Sequence, residues 1–327
     1  MKTEKQKNRH LPWLILTLIF ILLAALAVFV YIRRDSLDEH EFLDNSKKHV
    51  GLHVEELDEF YSLEEKPQII GWFEHWGQEE SVEKLALCGI RHEAFPMITW
   101  MPDNISFQDI IDGKYDDYIK QYLKNKVAVC TDIDVLIRFA HEMEVRPNYR
   151  FRWYSWQDES PETYKAAWIH MVNLSRTVSP NIKWVWSPNR SDEYSDPYYP
   201  GDDYVDYVGI TMDLELTHHI RYKKFQDFYD TEGQRKHLLN FPKDVIVCEA
   251  GYAESGDHDE KAAYLESIYD GLKDNDELIA VVFFNKDVDA NRLFRFTHND
   301  RYLQVFYDGI RELRKLEILH EPTYQTA

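Results

Sequence analysis

Eight apolar, strand-like runs separated by helix-like stretches restrict most sharply what this chain can fold into. The runs fall at 49–54, 68–72, 94–100, 134–140, 182–186, 204–211, 244–248 and 279–284. Helical stretches lie around 55–64, 79–88, 115–127, 161–178, 223–239, 258–274 and 301–316. The 161–178 stretch shows the pattern. Ser160 is placed to cap the helix, Pro161 takes its first position, and Glu162 lies in the first turn. Ala166, Ala167, Ile169, Met171, Val172 and Leu174 then recur at helical spacing. Strands alternating with helices in this way form parallel β/α units. Eight units in about 270 residues predict a (β/α)8 TIM barrel, of the α/β class. No Gly/Ser linker interrupts the alternation, which argues for one barrel domain.

A second feature precedes the barrel. Residues 11–32 are uncharged and almost wholly apolar, and about 20 such residues span a bilayer as a helix. Lys2, Lys5, Lys7 and Arg9 come before the run. Arg33 and Arg34 follow it, and then Asp35, Asp38, Glu39 and Glu41. The basic excess before the span predicts that the N-terminus stays inside and the rest faces outward. Ala25-Leu26-Ala27 resembles a signal-peptidase site, but the apolar run continues to Ile32, so an uncleaved single transmembrane helix is expected. The expected layout is a cytoplasmic 1–10, a transmembrane anchor over 11–32 and an acidic stalk over 33–47. The barrel follows over 48–318, and a loose tail over 319–327. The expected place is the cell membrane, single-pass, with the barrel outside, as on a bacterial surface.

Charge and cysteine content narrow the chemistry. The chain of 327 residues has a formal net charge of −20, which disfavours nucleic acid, anionic lipid and polyanionic substrates as partners. A neutral polymer is not disfavoured, and an aromatic content of 14% suits stacking on sugars. The three cysteines, Cys88, Cys130 and Cys248, show no CxxC spacing and predict neither a disulfide framework nor a zinc site. His218-His219, His258 and Asp259 have no ligand spacing, and no metal or other cofactor is expected.

In a parallel barrel the chemistry sits at the C-terminal ends of the strands. The fourth run, VLIRFAHEME, delivers Glu142 there, with Arg138 and His141 close by; the seventh, DVIVCEAGYAE, delivers Glu249. Two strands each ending in a glutamate suggest a two-carboxylate enzyme. Retaining glycosidases place two such carboxyls about 5–5.5 Å apart, one as acid/base and one as nucleophile, whereas inverting enzymes set them wider.

RFAHEM, followed by WYSW, WVWSPN, YPGDDYVDYVGI and a strand ending CEAGY, resembles glycoside hydrolase family 26. ITWMPD and IIDGKYDDYIKQY fit the same pattern, so the resemblance covers roughly residues 49 to 310. It implies a (β/α)8 retaining hydrolase, most often an endo-β-1,4-mannanase, with mixed-linkage β-glucanases and β-1,3-xylanases as minorities. It also implies Glu142 as acid/base, Glu249 as nucleophile and His141 as an attendant of the acid. Trp153 and Trp156 match the family's aromatic pair. Three places depart from the pattern. Glu144 stands where the family has Asn, VRPNYRFR lengthens the following loop, and VGITMD puts Asp213 where the family has a Tyr that contacts the nucleophile. Glu144 itself reads as a solvated loop charge.

The expected sugar-contacting residues are His141, Arg138, Trp76, Trp100, Trp153, Trp156, Trp186 and Asn189. Trp184 and Trp186 share one face of the fifth run, with Trp186 nearer the mouth. The expected function is a membrane-anchored retaining endo-glycosidase acting on a neutral β-linked polysaccharide, β-1,4-mannan first. The alternatives are a mixed-linkage or other β-glucanase that processes an exopolysaccharide made by the same cell, and a barrel that binds polysaccharide without cutting it. The tether further suggests a polysaccharide synthesis or export complex as a partner.

Overall fold

The computed structural model describes residues 43–78, 82–144, 152–214, 222–231, 234–290 and 292–320. The expected membrane span at 11–32, the His218-His219 pair and the end of the tail lie outside these residues. Among the described residues, no helix is long and apolar enough to cross a membrane.

The eight runs form eight strands. They are β1 His49–His53, β2 Ile69–His75, β3 Phe95–Met101, β4 Val135–Phe139, β5 Ile182–Trp186, β6 Tyr207–Leu214, β7 Val245–Tyr252 and β8 Leu278–Phe283. Each pairs in parallel with the next, and β8 returns to β1, which closes the barrel. The strands are buried on both faces, which explains why they read as continuous apolar runs. Helices α1 Leu57–Tyr61, α2 Val82–Arg91, α3 Phe107–Ile111, α4 Asp116–Val129, α5 Pro161–Arg176, α6 Phe225–Tyr229, α7 Gln234–Leu238, α8 His258–Asp274 and α9 Asp300–His320 lie between or after them. Residues 43–47, the end of the polar segment before the barrel, pack onto it. Leu43 is buried with its N–H on Asp134, and Asn45 donates to Asp244 at 2.6 Å.

The cap of α5 is the one its sequence predicts, with the Ser160 hydroxyl accepting from the Thr163 N–H at 3.1 Å and Pro161 opening the helix. Other boundaries differ. The helical stretch 223–239 holds two short helices. Helix α3 was not expected; it forms because Ser106 caps it and Phe107 and Ile110 bury their side chains. After β8 the chain makes a small hairpin of β9 Asp287–Asp289 and β10 Arg292–Leu293.

Two glycines admit large groups to the barrel interior. A Cβ on Gly71 would lie 2.9 Å from the His53 ring, and one on Gly209 would lie 2.7 Å from the Cys248 sulfur and 2.8 Å from Ser187 Cβ. The outer strand faces carry the large aromatics. Trp100 stacks on Tyr122 of α4 with centroids 3.9 Å apart, and Trp184 meets Trp168 of α5 edge-on at 5.4 Å. All three cysteines are free and buried.

Candidate active site

Glu142 lies just past the end of β4, where the chain turns sharply. Ala140 and Glu142 have φ of +44° and +53°, a region that residues bearing a Cβ seldom adopt. Several hydrogen bonds hold this turn. Ala140 N–H donates to the Trp100 carbonyl at 3.1 Å, and Glu142 N–H to the Ser187 carbonyl at 2.8 Å. The Trp156 indole donates to the His141 carbonyl, and Gln157 Nε2 to the Glu142 carbonyl, each at 2.7 Å. Strained backbone held by its surroundings in this way is characteristic of functional sites.

Glu249 reaches the same place by a bulge. Ile210 pairs with Val247 and Thr211 with Glu249, which leaves Cys248 unmatched. The other edge repeats the shift, with Val247 beside Val281 and Ala250 beside Phe283. Successive side chains of an unbroken strand alternate between faces. Ile246 pairs with the inward Gly209, so without the extra residue Glu249 would point outward. The bulge turns it into register with Thr211 on the inner face. It also places Glu249 inside β7, which continues to Tyr252, rather than at the strand's end.

The two carboxylates and His141 each bring one atom within 4.8 Å of the others. Both carboxylates are nearly enclosed, with Glu142 at 7% and Glu249 at 6% exposure. Arg138, fully buried on β4, is ion-paired through Nη1 with Glu249. Its Nε donates to Ser187 Oγ at 2.9 Å and its Nη2 to Thr211 Oγ1 at 3.1 Å. The Thr211 hydroxyl donates in turn to Glu142 Oε1 at 2.6 Å, and Trp153 Nε1 donates to Glu142 Oε2 at 2.8 Å.

These surroundings treat the two acids differently. Burial, and next the charge of Glu249, push the Glu142 pKa above its ordinary value of 4.5, while Arg138, Thr211 and Asn189 pull the other way. A carboxyl with raised pKa can carry a proton to a leaving group. Beneath Glu249, burial works against the Arg138 charge, but Glu249, Cys248 and Glu142 together outweigh it and the pKa of Arg138 is raised. His141 is held well below 6.5 by burial and then by Arg138, so it is neutral. Its Nε2 meets Tyr154 Oη at 3.0 Å.

His141, Glu142 and Glu249 are also a geometric set for a cation. Arg138 already supplies the positive charge at Glu249, and both oxygens of Glu142 accept hydrogen bonds. This arrangement fits acid/nucleophile chemistry better than metal ligation.

The remaining expected site residues divide. Asn189 is half-buried beside Glu142, whose pKa it helps to lower. Trp153 keeps 42% of its surface exposed and bonds the acid through its indole. Trp76 is half-buried and stacked on Trp100 at 4.8 Å. Trp100, Trp156 and Trp186 are corrections. All three are fully buried and present no face to a sugar. Trp100 and Trp186 point outward under the helix layer, while Trp156 stacks on Tyr154 at 4.4 Å and braces the acid turn. Arg138 is likewise buried beneath the nucleophile, so it serves Glu249 rather than a sugar. Glu144 is not solvated. It is 1% exposed and accepts the N–H groups of Asn189 at 3.1 Å and Arg190 at 2.9 Å, which fixes the turn after β5. Thr211, Tyr154 and Ser187 were missed. Their signal is weak, because a Thr or Ser in a strand usually reads as structural.

Comparisons with known proteins concern the sequence and the fold. Residues 105–235, the stretch carrying Glu142, match the family model described as Glycosyl hydrolase family 26. Endoglucanase H of Acetivibrio thermocellus is 28% identical over 263 residues, which cover 75% of this chain and 27% of that protein. The chain thus spans about a quarter of the length of this curated relative. Among solved structures, the catalytic domain of a Bacillus sp. JAMB-750 GH26 endo-β-1,4-mannanase superposes with a TM-score of 0.59 at 16% identity, covering 83% of this chain and 88% of that one. A GH26 β-mannanase from Bacteroides ovatus does so with a TM-score of 0.57 at 15% identity, covering 83% and 90%. At these identities the structural likeness speaks for the barrel alone. The stretch that carries the strained acid turn is thus similar to glycosyl hydrolase family 26, on a barrel like those of its solved structures.

Proposed function

We propose that this chain is a retaining endo-glycosidase that cleaves a neutral β-linked polysaccharide, β-1,4-mannan before others. The observation that carries the reading is the approach of Glu142 and Glu249, with carboxylate oxygens within 4.8 Å. That spacing suits a direct attack and leaves no room for a water between the carboxyls. In the first step Glu249 attacks the anomeric carbon, the glycosidic bond breaks, and Glu142 gives its proton to the departing oxygen. In the second step Glu142 takes a proton from water, the water oxygen bonds to the anomeric carbon, and Glu249 leaves as a carboxylate.

The test is reducing-end release by the full chain in detergent on mannan, glucomannan, lichenan and xylan. Release from mannan and glucomannan is expected. A folded protein that releases nothing from any of them overturns the reading. A β-glucan substrate is the second reading, favoured by the 28% identity to Endoglucanase H; release from lichenan but not mannan would select it. We further propose that the 11–32 run tethers the barrel outside the cell, where it trims a polysaccharide that the same cell makes or exports. Protease added to intact cells should then degrade the barrel while leaving the first residues protected.

A further inference from the structure

Thr211 lies between the two carboxylates and has only one hydrogen to give. A hydroxyl offers one donor and two acceptor lone pairs, whereas a guanidinium only donates. Arg138 Nη2 donates to Thr211 Oγ1 at 3.1 Å. The Thr211 hydrogen is therefore directed at Glu142 Oε1, 2.6 Å away, a length typical of hydroxyl-to-carboxylate bonds. The direction of this bond is fixed by chemistry, because neither end of the chain Arg138–Thr211–Glu142 can be reversed while Glu142 is ionised. Thr211 is 5% exposed, so solvent does not replace it.

We propose that Thr211 is a positioning residue of this reaction: its hydroxyl, polarised by Arg138, holds Glu142 Oε1 and passes to the acid the change of charge at Glu249. This rests on the retaining reading above. While Glu249 is a carboxylate it engages Arg138, the pull relayed to Glu142 is reduced, and Glu142 keeps its proton for the leaving group. Once Glu249 is esterified its charge is gone. Arg138 then acts undivided through Thr211, which favours the ionised Glu142 needed to take a proton from water.

The groups that act on Glu142 come from several elements. They include Glu249 on β7, Arg138 on β4, and Asn189 past β5. Trp153, from the loop after β4, donates to its other oxygen, and Tyr154 feels its charge. Thr211, on β6, bonds both Arg138 and Glu142.

The test needs no substrate. Full-length protein carrying carboxyl-labelled glutamate is titrated by carbon NMR, with Glu142 assigned by its loss in Glu142→Gln. Thr211→Val keeps the shape and removes the hydroxyl, and Thr211→Ser restores the hydroxyl. The Glu142 midpoint should rise by about one pH unit in Thr211→Val and return towards the parent value in Thr211→Ser. An unmoved midpoint in Thr211→Val overturns the proposal, as does an equal shift in both variants, which would mark a packing effect. If Thr211→Val does not fold, Thr211→Ala is read by the same criteria. Absence of polysaccharide cleavage by the parent would instead count against the proposed reaction, and the titration separates the two failures.

Discussion

Among the described residues, Glu74 on one side and the pair Glu142 and Glu249 on the other are buried carboxylates with a buried cation beside them, and only the pair is built for catalysis. Behind β2, Glu74 accepts from Trp72 Nε1 at 2.8 Å and from the Tyr122 hydroxyl at 2.5 Å, and pairs with Lys126 at 2.8 Å. It points outward, into the layer between barrel and α4, and its partners saturate it. At the mouth, Glu142 and Glu249 share a single buried cation, Arg138, which pairs directly with only one of them. One carboxyl has its counter-charge and the other has its pKa raised by burial and by its neighbour. Burial and ion pairing are common to both clusters. Inequality between two close acids belongs, of these two places, to the mouth, and it is what acid/nucleophile chemistry requires.

That contrast can be broken by substitution. The largest effect should come from Glu249→Gln, which leaves buried Arg138 an acceptor, with a loss of kcat on the order of 10⁴-fold, about 5.5 kcal/mol of transition-state stabilisation, and a smaller effect on melting temperature. Glu74→Ala should do the reverse. It strands buried Lys126 and should destabilise the fold by about 3–5 kcal/mol, read by chemical denaturation, while the folded fraction keeps its kcat. Glu144→Ala should fall between the two. It releases the Asn189 and Arg190 N–H groups, with a stability loss of about 1–3 kcal/mol and a several-fold lower kcat as Asn189 drifts from Glu142.

Trp153→Phe removes one donor from Glu142, and a loss of about 1 kcal/mol, roughly fivefold in rate, is expected. The sign of the pH effect follows from the same bond. Glu142 must be protonated to act as acid, so kcat/KM falls as pH rises through its raised pKa. A donor that favours the ionised form is lost in Trp153→Phe, and this basic limb should move upward. A gentler pH effect concerns stability. Burial lowers His53 from about 6.5 in an unfolded chain to about 3 in the barrel. Between those values the unfolded chain binds the extra proton, so stability falls as pH drops from about 6.5 towards 3. Melting curves across that window should show it, and His53→Gln should flatten it.

The eight strands were legible because parallel strands buried on both faces must be apolar along their whole length. Glu142 and Glu249 were legible because an acid that interrupts or ends such a run stands out. The bulge at Cys248 was not, since a single unmatched residue leaves the apolar pattern of DVIVC intact. The tryptophans show a second limit. Alternation puts Trp184 and Trp186 on one face, but it does not say whether that face meets the barrel centre or the outer layer, and here it meets the outer layer, at Trp168 of α5 and Phe241 after α7. Glu144 shows a third. A charge after a strand end reads as solvated until the backbone amides that bury it, those of Asn189 and Arg190, are brought over from another loop.

The stereochemistry of the first product tests the central claim most directly. Proton NMR during the first minutes of hydrolysis, before mutarotation, should show the new reducing end as the β-anomer, because a covalent Glu249 intermediate inverts the centre twice. An initial α-anomer would contradict the account, since it requires water to attack directly between the two carboxylates.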